Sequence, residues 1–132
     1  MSMKVSIITV TYNSAKYVDD CINSIIRQNY KNIEYIIIDG NSTDGTLDII
    51  KKHSDHIFKW VSQEDSGMYD ALNKGIRLAT GDIVGILNSD DVLASEDVIS
   101  EIVNCFQQNH VDSLYGDLVY VDPFDLRKVL RF

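Results

Sequence analysis

The sequence predicts an α/β protein, a mainly parallel sheet flanked by helices. Three observations lead there. Short apolar runs alternate with amphipathic stripes along the chain, as strand–helix–strand units require. Two of the runs, VSIITV and IEYIIID, have no polar alternation, which suits strands buried on both faces. Each run then gives way to a polar cluster, and in open parallel sheets ligands bind outside the carboxyl ends of the strands.

Val5–Val10 is the first strand. Asn13 and Ser14 follow it with oxygens suited to capping, and Val18, Cys21, Ile22, Ile25 and Ile26 repeat at helical spacing. Asn29–Asn32 breaks that helix, and Ile33–Asp39 forms the second strand. Gly40–Gly45, GNSTDG, is dense in turn formers and leads into a short helix over Thr46–His53. Ile57–Ser62 is a third strand and Gln63–Gly67 a polar loop. Met68–Ala79 is a helix with Met68, Ala71, Leu72, Ile76 and Ala79 on one side and Gly81 beyond its end. Ile83–Leu87 is the fourth strand, ending in Asn88-Ser89-Asp90-Asp91. Ser95 is placed to cap a helix whose stripe is Val98, Ile99, Ile102, Val103 and Phe106, and Val111–Tyr115 and Leu118–Val121 are two further short strands.

The chain has 132 residues, a length suited to one domain with a real core. Twelve Lys and Arg against twenty Asp and Glu give a net charge of −8. That balance excludes the basic face of a nucleic-acid binder and the polybasic patch of a membrane-surface protein. An anionic ligand would need backbone N–H groups, a few cations or a metal as mediator. The two cysteines, Cys21 and Cys105, lie in helical patterns without metal-ligand spacing and read as buried thiols. The first residues read as a strand rather than a signal peptide, and no apolar run approaches the roughly 20 residues of a membrane span. A cytoplasmic chain without a transmembrane segment is the expectation.

The chemistry lies in the strand-end clusters. Adjacent carboxylates at Asp90 and Asp91 repel each other, a cost that a hard divalent cation removes. Mg²⁺ or Mn²⁺ held there would neutralise a diphosphate leaving group. The same pair would also serve as an ordinary turn with helix-capping acids. Asp39 could accept from a base imide N–H or a ribose hydroxyl, in a segment that also makes a tight turn. Thr11-Tyr12-Asn13 offers an aromatic face and amide contacts, although Tyr12 fits a core position equally well. The stretch from Glu64 to Gly75 runs from a loop into a helix start able to hold anions, with Lys74 or Arg77 in reach of phosphate. His53, His56 and His110 have no metal spacing, and the phosphate-loop and dinucleotide glycine fingerprints are both missing.

Four stretches in register, VSIITVTYN at 5–13, IIIDGNSTDGT at 36–46, EDSGMYDALNKGIRLATGD at 64–82 and GILNSDD at 85–91, resemble the family 2 glycosyltransferases, inverting enzymes of GT-A fold. The resemblance implies a Rossmann-like GT-A nucleotide-binding fold, a nucleotide-diphosphate-sugar donor and a divalent metal, Mg²⁺ or Mn²⁺. It aligns Asp90, with Asp91 beside it, to the family's DxD metal element. Thr11, Tyr12, Asn13, Asp39, Asp65, Asn73, Asn88 and Ser89 fall where the family binds the donor. Three departures stand out. A UDP-sugar is the favoured donor by resemblance, but Gly40 stands where the family often carries the acid that pairs with uracil, which leaves thymine and guanine open. Asn88 replaces the first Asp of DxD; an amide can still hydrogen-bond a ribose hydroxyl but brings no charge to a metal. The chain is also shorter than family domains, whose later half holds the acceptor site and the catalytic base.

Asp112, Asp117, Asp122 and Asp125 do not match the base motif. Residues 1–132 are therefore expected to form one GT-A-like domain, the truncated donor half of an enzyme in polysaccharide or glycan biosynthesis. Its acceptor is expected to be a glycan or a lipid-linked hydroxyl. Apolar surface exposed by truncation would favour self-association. The alternative is a non-catalytic nucleotide-binding or receiver-like signalling module, which would want an acid pair after the first strand, where Thr11-Tyr12-Asn13 stands.

Overall fold

A computed structural model describes residues 2–109, 112–113, 120–122 and 125–131. Contacts divide the chain into two compact units, Met1–Glu101 and Ile102–Phe132. In the first, β1 (Val5–Thr11), β2 (Ile33–Asp39), β3 (Lys59–Ser62) and β4 (Ile83–Ile86) form one sheet in the order β3-β2-β1-β4. Every pairing in it is parallel. The helices are α1 (Val18–Ile26), α2 (Thr46–Lys52), α3 (Met68–Leu78) and α4 (Val98–Asn109), with a 3₁₀ turn at Ser54–His56. α4 begins in the first unit and ends in the second, where β5 (Tyr120–Asp122) and β6 (Asp125–Arg131) pair antiparallel.

Strand alternation explains why both faces of the sheet are apolar. Successive side chains of β1 point to opposite sides. Ile8 lies against α3, within 2.6 Å of where a Cβ on Gly75 would stand, and belongs to a core with Ile36, Ile38 and Ala71. Thr9 points the other way, to Cys21 of α1. α3 does not reach across β4 on its own face, so Val84 and Ile86 stand about half exposed.

At the amino ends of the strands, Glu34 joins three segments. Its carboxylate accepts from the Ser6 hydroxyl at 2.8 Å, the Thr80 N–H at 2.8 Å and the Thr80 hydroxyl at 2.6 Å, and Lys4 is 3.6 Å away. Burial alone would raise its pKa, but these donors and the Lys4 ammonium hold it below the usual carboxylate value.

The predicted order of strands and helices is found over residues 5–109. The differences are local and have reasons. Asn13 and Ser14 do not cap α1 with their side chains: the helix begins later, at Val18, and Ser14 takes the Tyr17 and Val18 N–H groups on its backbone carbonyl. The third strand starts at Lys59 because Ile57 closes the 3₁₀ turn. Gly81 does not terminate α3, which ends at Leu78 on an extended Ala79; Gly81 instead donates to the Ser6 hydroxyl at 2.8 Å. Ser95 lies three residues before α4 and binds Asp97 rather than a helix N–H. The predicted strand Val111–Tyr115 falls largely outside the described residues, and Asp112 and Ser113 are not in a strand. Leu118–Val121 overlaps β5, and β6 has no counterpart in the sequence reading. Among the described residues no helix is long and apolar enough to cross a membrane.

The contact between Gly75 and Ile8 yields a test. Gly75→Ala gains about 1 kcal/mol of helix propensity but overpacks a stiff, fully buried β-branched side chain, which costs about 1–3 kcal/mol. A net loss in urea unfolding is expected, relieved in the double variant with Ile8→Ala relative to the sum of the singles. An additive double variant would place the strain elsewhere.

Candidate functional site

In the strand order β3-β2-β1-β4, the chain winds outward from β1 through β2 and β3 and then returns to the other side of β1. The reversal leaves a crevice at the carboxyl ends of β1 and β4. A cavity of about 450 Å³ lies there, lined by Asn13 and Ser14 after β1 and by Asn88, Ser89 and Asp90 after β4, with Tyr17 and Met68 as walls.

The floor of this edge is Asp39. Its side chain is fully buried, yet it is ionised into a ring of donors. The Thr11 hydroxyl donates to Oδ1 at 2.6 Å and the Ser42 hydroxyl at 2.5 Å; the Ser42 N–H and the Ser62 hydroxyl each donate to Oδ2 at 2.8 Å. Burial would raise the Asp39 pKa, but the donors outweigh it and hold the carboxyl below its ordinary value. One carboxylate thus ties the ends of β1, β2 and β3.

The loops after β1 and β2 are laced further. Asn13 has a left-handed backbone, φ 48°, which brings its N–H to the Ser42 hydroxyl at 2.8 Å and its Oδ1 to the Thr43 N–H at 2.9 Å. The Ser14 N–H donates to Thr46 Oγ1 at 2.8 Å, and Ala15 N–H to Asp44 at 3.1 Å.

The β4 exit is held from beneath. Thr9 Oγ1 donates to the Leu87 carbonyl at 2.8 Å and meets the Tyr35 hydroxyl at 2.8 Å, and the Cys21 thiol donates to the Asn88 carbonyl at 3.4 Å. Burial pushes the Cys21 thiol up to about 11, so it stays a neutral donor. Ser14 and Ser89 hydroxyls, 3.0 Å apart, join the two sides of the crevice. Beyond the acids, Ser24 of α1 and Gln28 just after that helix hold Leu93, Ser95 and Ile99, the last through its N–H at 3.0 Å from Gln28 Oε1.

Of the residues predicted to bind donor or metal, Asn13, Asn88, Ser89 and Asp90 line the crevice. Tyr12 is beside it, 67% exposed, and so is not the core residue it could have been. Asp91 is half-buried; burial first and the Asp90 charge second push its pKa up, partly offset by Asn88. Thr11 and Asp39 are both buried, and the Thr11 hydroxyl donates to Asp39. The Asp39 carboxylate, expected to contact a nucleoside, has four protein donors on its two oxygens. Asp65 packs against Gly40, and Asn73 lies exposed on α3. Sequence reasoning missed the bracing roles of Ser42, Ser62, Thr46 and Asp44, for which the Ser/Thr/Asp density of DGNSTDGT was the available signal. It also missed Tyr17 as a wall and Thr9, Tyr35 and Cys21 as supports, which a sequence shows only as apolar-face residues.

Among the described residues no group of three or more His, Cys, Asp or Glu side chains is placed to hold a metal. Asp90 and Asp91 alone fit a small hard cation, which takes one or two protein carboxylates and completes its shell with phosphate and water oxygens. The unfavourable proximity that raises Asp91 is the cost such an ion would remove.

Fold and crevice define a parallel α/β domain with an acidic strand-end motif at its topological switch point. The sequence profile described as glycosyl transferase family 2 matches residues 6–131, and the chain belongs to that family. It is 34% identical over 126 residues to an uncharacterized glycosyltransferase of Nostoc, covering 93% of this chain and 39% of the relative. A solved mannosyltransferase from Pyrobaculum calidifontis, in complex with GDP-Man and Mn²⁺, superposes with a TM-score of 0.76 at 30% identity, over 84% of this chain and 34% of that one. TarS of S. aureus, residues 1–349 in complex with UDP-GlcNAc, shares the fold at a TM-score of 0.76 and 24% identity, over 89% of this chain and 38% of that one. The chain thus spans well under half the length of these three proteins, and the fold they share with it is the GT-A fold.

The buried carboxylate predicts a pH-dependent variant. Asp39→Asn places an amide against four donors and is expected to lower stability by about 3 kcal/mol at neutral pH. The folded pKa lies below the ordinary 3.8, so the wild-type stabilisation is complete above that value and fades as pH falls through it toward the folded pKa. The variant should therefore approach the wild type in urea midpoint as acid is added. A gap that stays constant down to acid pH would show that the charge is not what holds the strand ends.

Proposed function

We propose that residues 1–132 are the donor-binding part of a glycosyltransferase that moves a sugar from a nucleotide diphosphate to an acceptor hydroxyl with inversion. The observation that carries this reading is the crevice at the β1/β4 reversal, with polar Asn13, Ser14, Asn88 and Ser89 on its walls and Asp90 at its mouth. Asp90 and Asp91 would hold Mg²⁺ or Mn²⁺, which supplies charge neutralisation to the diphosphate as it leaves. Asn13, Asn88 and Ser89 present amide and hydroxyl groups to ribose and phosphate oxygens, and Tyr12 offers an exposed ring to a base. The complexes of similar proteins with GDP-Man and Mn²⁺ and with UDP-GlcNAc support a nucleotide-sugar donor, a UDP-sugar being favoured.

An inverting transfer needs a carboxylate to deprotonate the acceptor hydroxyl as it attacks. Asp90 and Asp91 are committed elsewhere in this reading, so the base belongs to a further part of the enzyme and this chain binds donor without efficient transfer. The acceptor is a glycan or lipid-linked hydroxyl, and the role is glycan or polysaccharide assembly. The half-exposed Val84 and Ile86 support self-association of this chain, read as sedimentation above monomer mass.

Calorimetric titration with UDP and GDP, with and without Mn²⁺, tests the site. Binding is expected to strengthen at least tenfold with Mn²⁺, and Asp90→Ala should remove that gain while leaving the unfolding midpoint close to wild type, because Asp90 is exposed. Unchanged Mn²⁺ dependence in the variant would overturn the assignment.

A further inference from the structure

The two acids after β4 sit on a turn that is held from inside the protein. The ladder between β1 and β4 ends at the pair Ile8 and Ile86. One residue further on, the Thr9 hydroxyl donates to the Leu87 carbonyl at 2.8 Å, and the Cys21 thiol donates to the Asn88 carbonyl at 3.4 Å. The same Asn88 carbonyl accepts the Asp91 N–H at 3.0 Å, which closes the turn Asn88-Ser89-Asp90-Asp91. A hydroxyl has a single hydrogen, and Thr9 gives its own to Leu87. The Tyr35 hydroxyl, 2.8 Å away, must therefore donate to Thr9 Oγ1. The polarity of the cluster is fixed: Tyr35 to Thr9 to Leu87, with Cys21 to Asn88 beside it. Thr9 and Cys21 are fully buried and Tyr35 is nearly so, which leaves no water to replace a lost donor. Burial above all keeps the proton on Cys21, and the charges of Asp91 and Asp90 act in the same direction.

We propose that Thr9 and Cys21 are positioning residues for the cation site at Asp90 and Asp91, with Tyr35 orienting Thr9. They fix the planes of two consecutive peptides, Leu87–Asn88 and Asn88–Ser89, and those planes aim the turn that carries both acids. If the Asn88 carbonyl turned away from the thiol, the Asp91 N–H would follow it and the carboxylates would swing with the turn. A small hard cation demands oxygens at nearly ideal distances and angles, so a slight swing weakens its binding. None of the three side chains lines the crevice, so none touches the nucleotide. Their effect falls on the ion-dependent part of binding alone. The inference rests on the donor-site reading above and names the residues that set its cation affinity.

The test is calorimetric titration of UDP and GDP with and without Mn²⁺, on wild type, Cys21→Ala, Thr9→Val and Thr9→Ser, each with its urea midpoint. In Cys21→Ala and Thr9→Val, the factor by which Mn²⁺ tightens nucleotide binding is expected to fall by about threefold or more, while binding without the ion stays within about twofold of wild type. Thr9→Ser keeps the hydroxyl and should keep the wild-type factor, even where loss of the methyl lowers its midpoint. A cluster that only stabilises the fold would move midpoints and leave the factor alone. A folded Cys21→Ala or Thr9→Val with the wild-type factor would therefore overturn the inference, as would a Thr9→Ser that loses as much as Thr9→Val. Should Thr9→Val not fold, Cys21→Ala decides. Asp90→Ala, run alongside, separates the two readings: if it abolishes the factor while Cys21→Ala does not, the donor site stands and this inference falls. If Mn²⁺ does not tighten binding to wild type, both fall.

Discussion

Everything at the carboxyl edge of the sheet depends on a buried negative charge. Parallel strands end in unpaired carbonyls and diverging loops, and nothing in the ladder itself sets where those loops go. Asp39 sets it by collecting Thr11, Ser42 and Ser62 from three different segments onto one carboxylate. Burial of an unpaired carboxylate would cost several kcal/mol. Four short donors reverse the balance and keep it charged, so the arrangement is stable only when all the segments are in place.

The acid pair is treated in the opposite manner. Among the described residues no cation pairs with Asp90 or Asp91, and the Asp91 pKa is raised, by burial first and by the Asp90 charge second. Yet the backbone on either side of them is heavily restrained. Thr9 and Cys21 hold two consecutive carbonyls before the acids, and Ser24 and Gln28 hold the segment after them. In the proposed reading, a restrained main chain beside two carboxylates that no described cation pairs is the arrangement a preorganised ion site would use.

Most of the fold was legible because strand burial writes itself into composition. Ile36, Ile37 and Ile38 are consecutive and all buried, so no alternation was needed to recognise β2. The crevice residues after β1 and β4 were legible for a topological reason, since ligand edges follow the strand ends. The bracing role of Asp39 was illegible because a polar residue at such an edge has two uses, and sequence does not tell a carboxylate facing solvent from one facing three hydroxyls. The Asp65–Gly40 contact was illegible for a related reason: the two residues are distant in sequence, and a glycine shows only that a side chain is missing. β6 was missed because DLRKVLR has charges in place of an apolar run, and a two-stranded antiparallel ribbon needs no buried face to be written in its sequence.

Charge ties these points together. The chain carries a net charge of −8, and Asp90, one of its acids, lines the crevice. Lys74, the basic residue of the loop-to-helix stretch in best reach, is already 3.5 Å from Asp70. A diphosphate approaching this edge alone would meet like charge, and a divalent ion alone would find only two carboxylates and water. In the proposed reading each ligand is the missing half of the other's site, and by linkage the factor by which the ion tightens nucleotide binding must equal the factor by which the nucleotide tightens the ion. In the proposed reading, an acidic domain can bind an acidic donor because the protein supplies the geometry and leaves the positive charge to the ion.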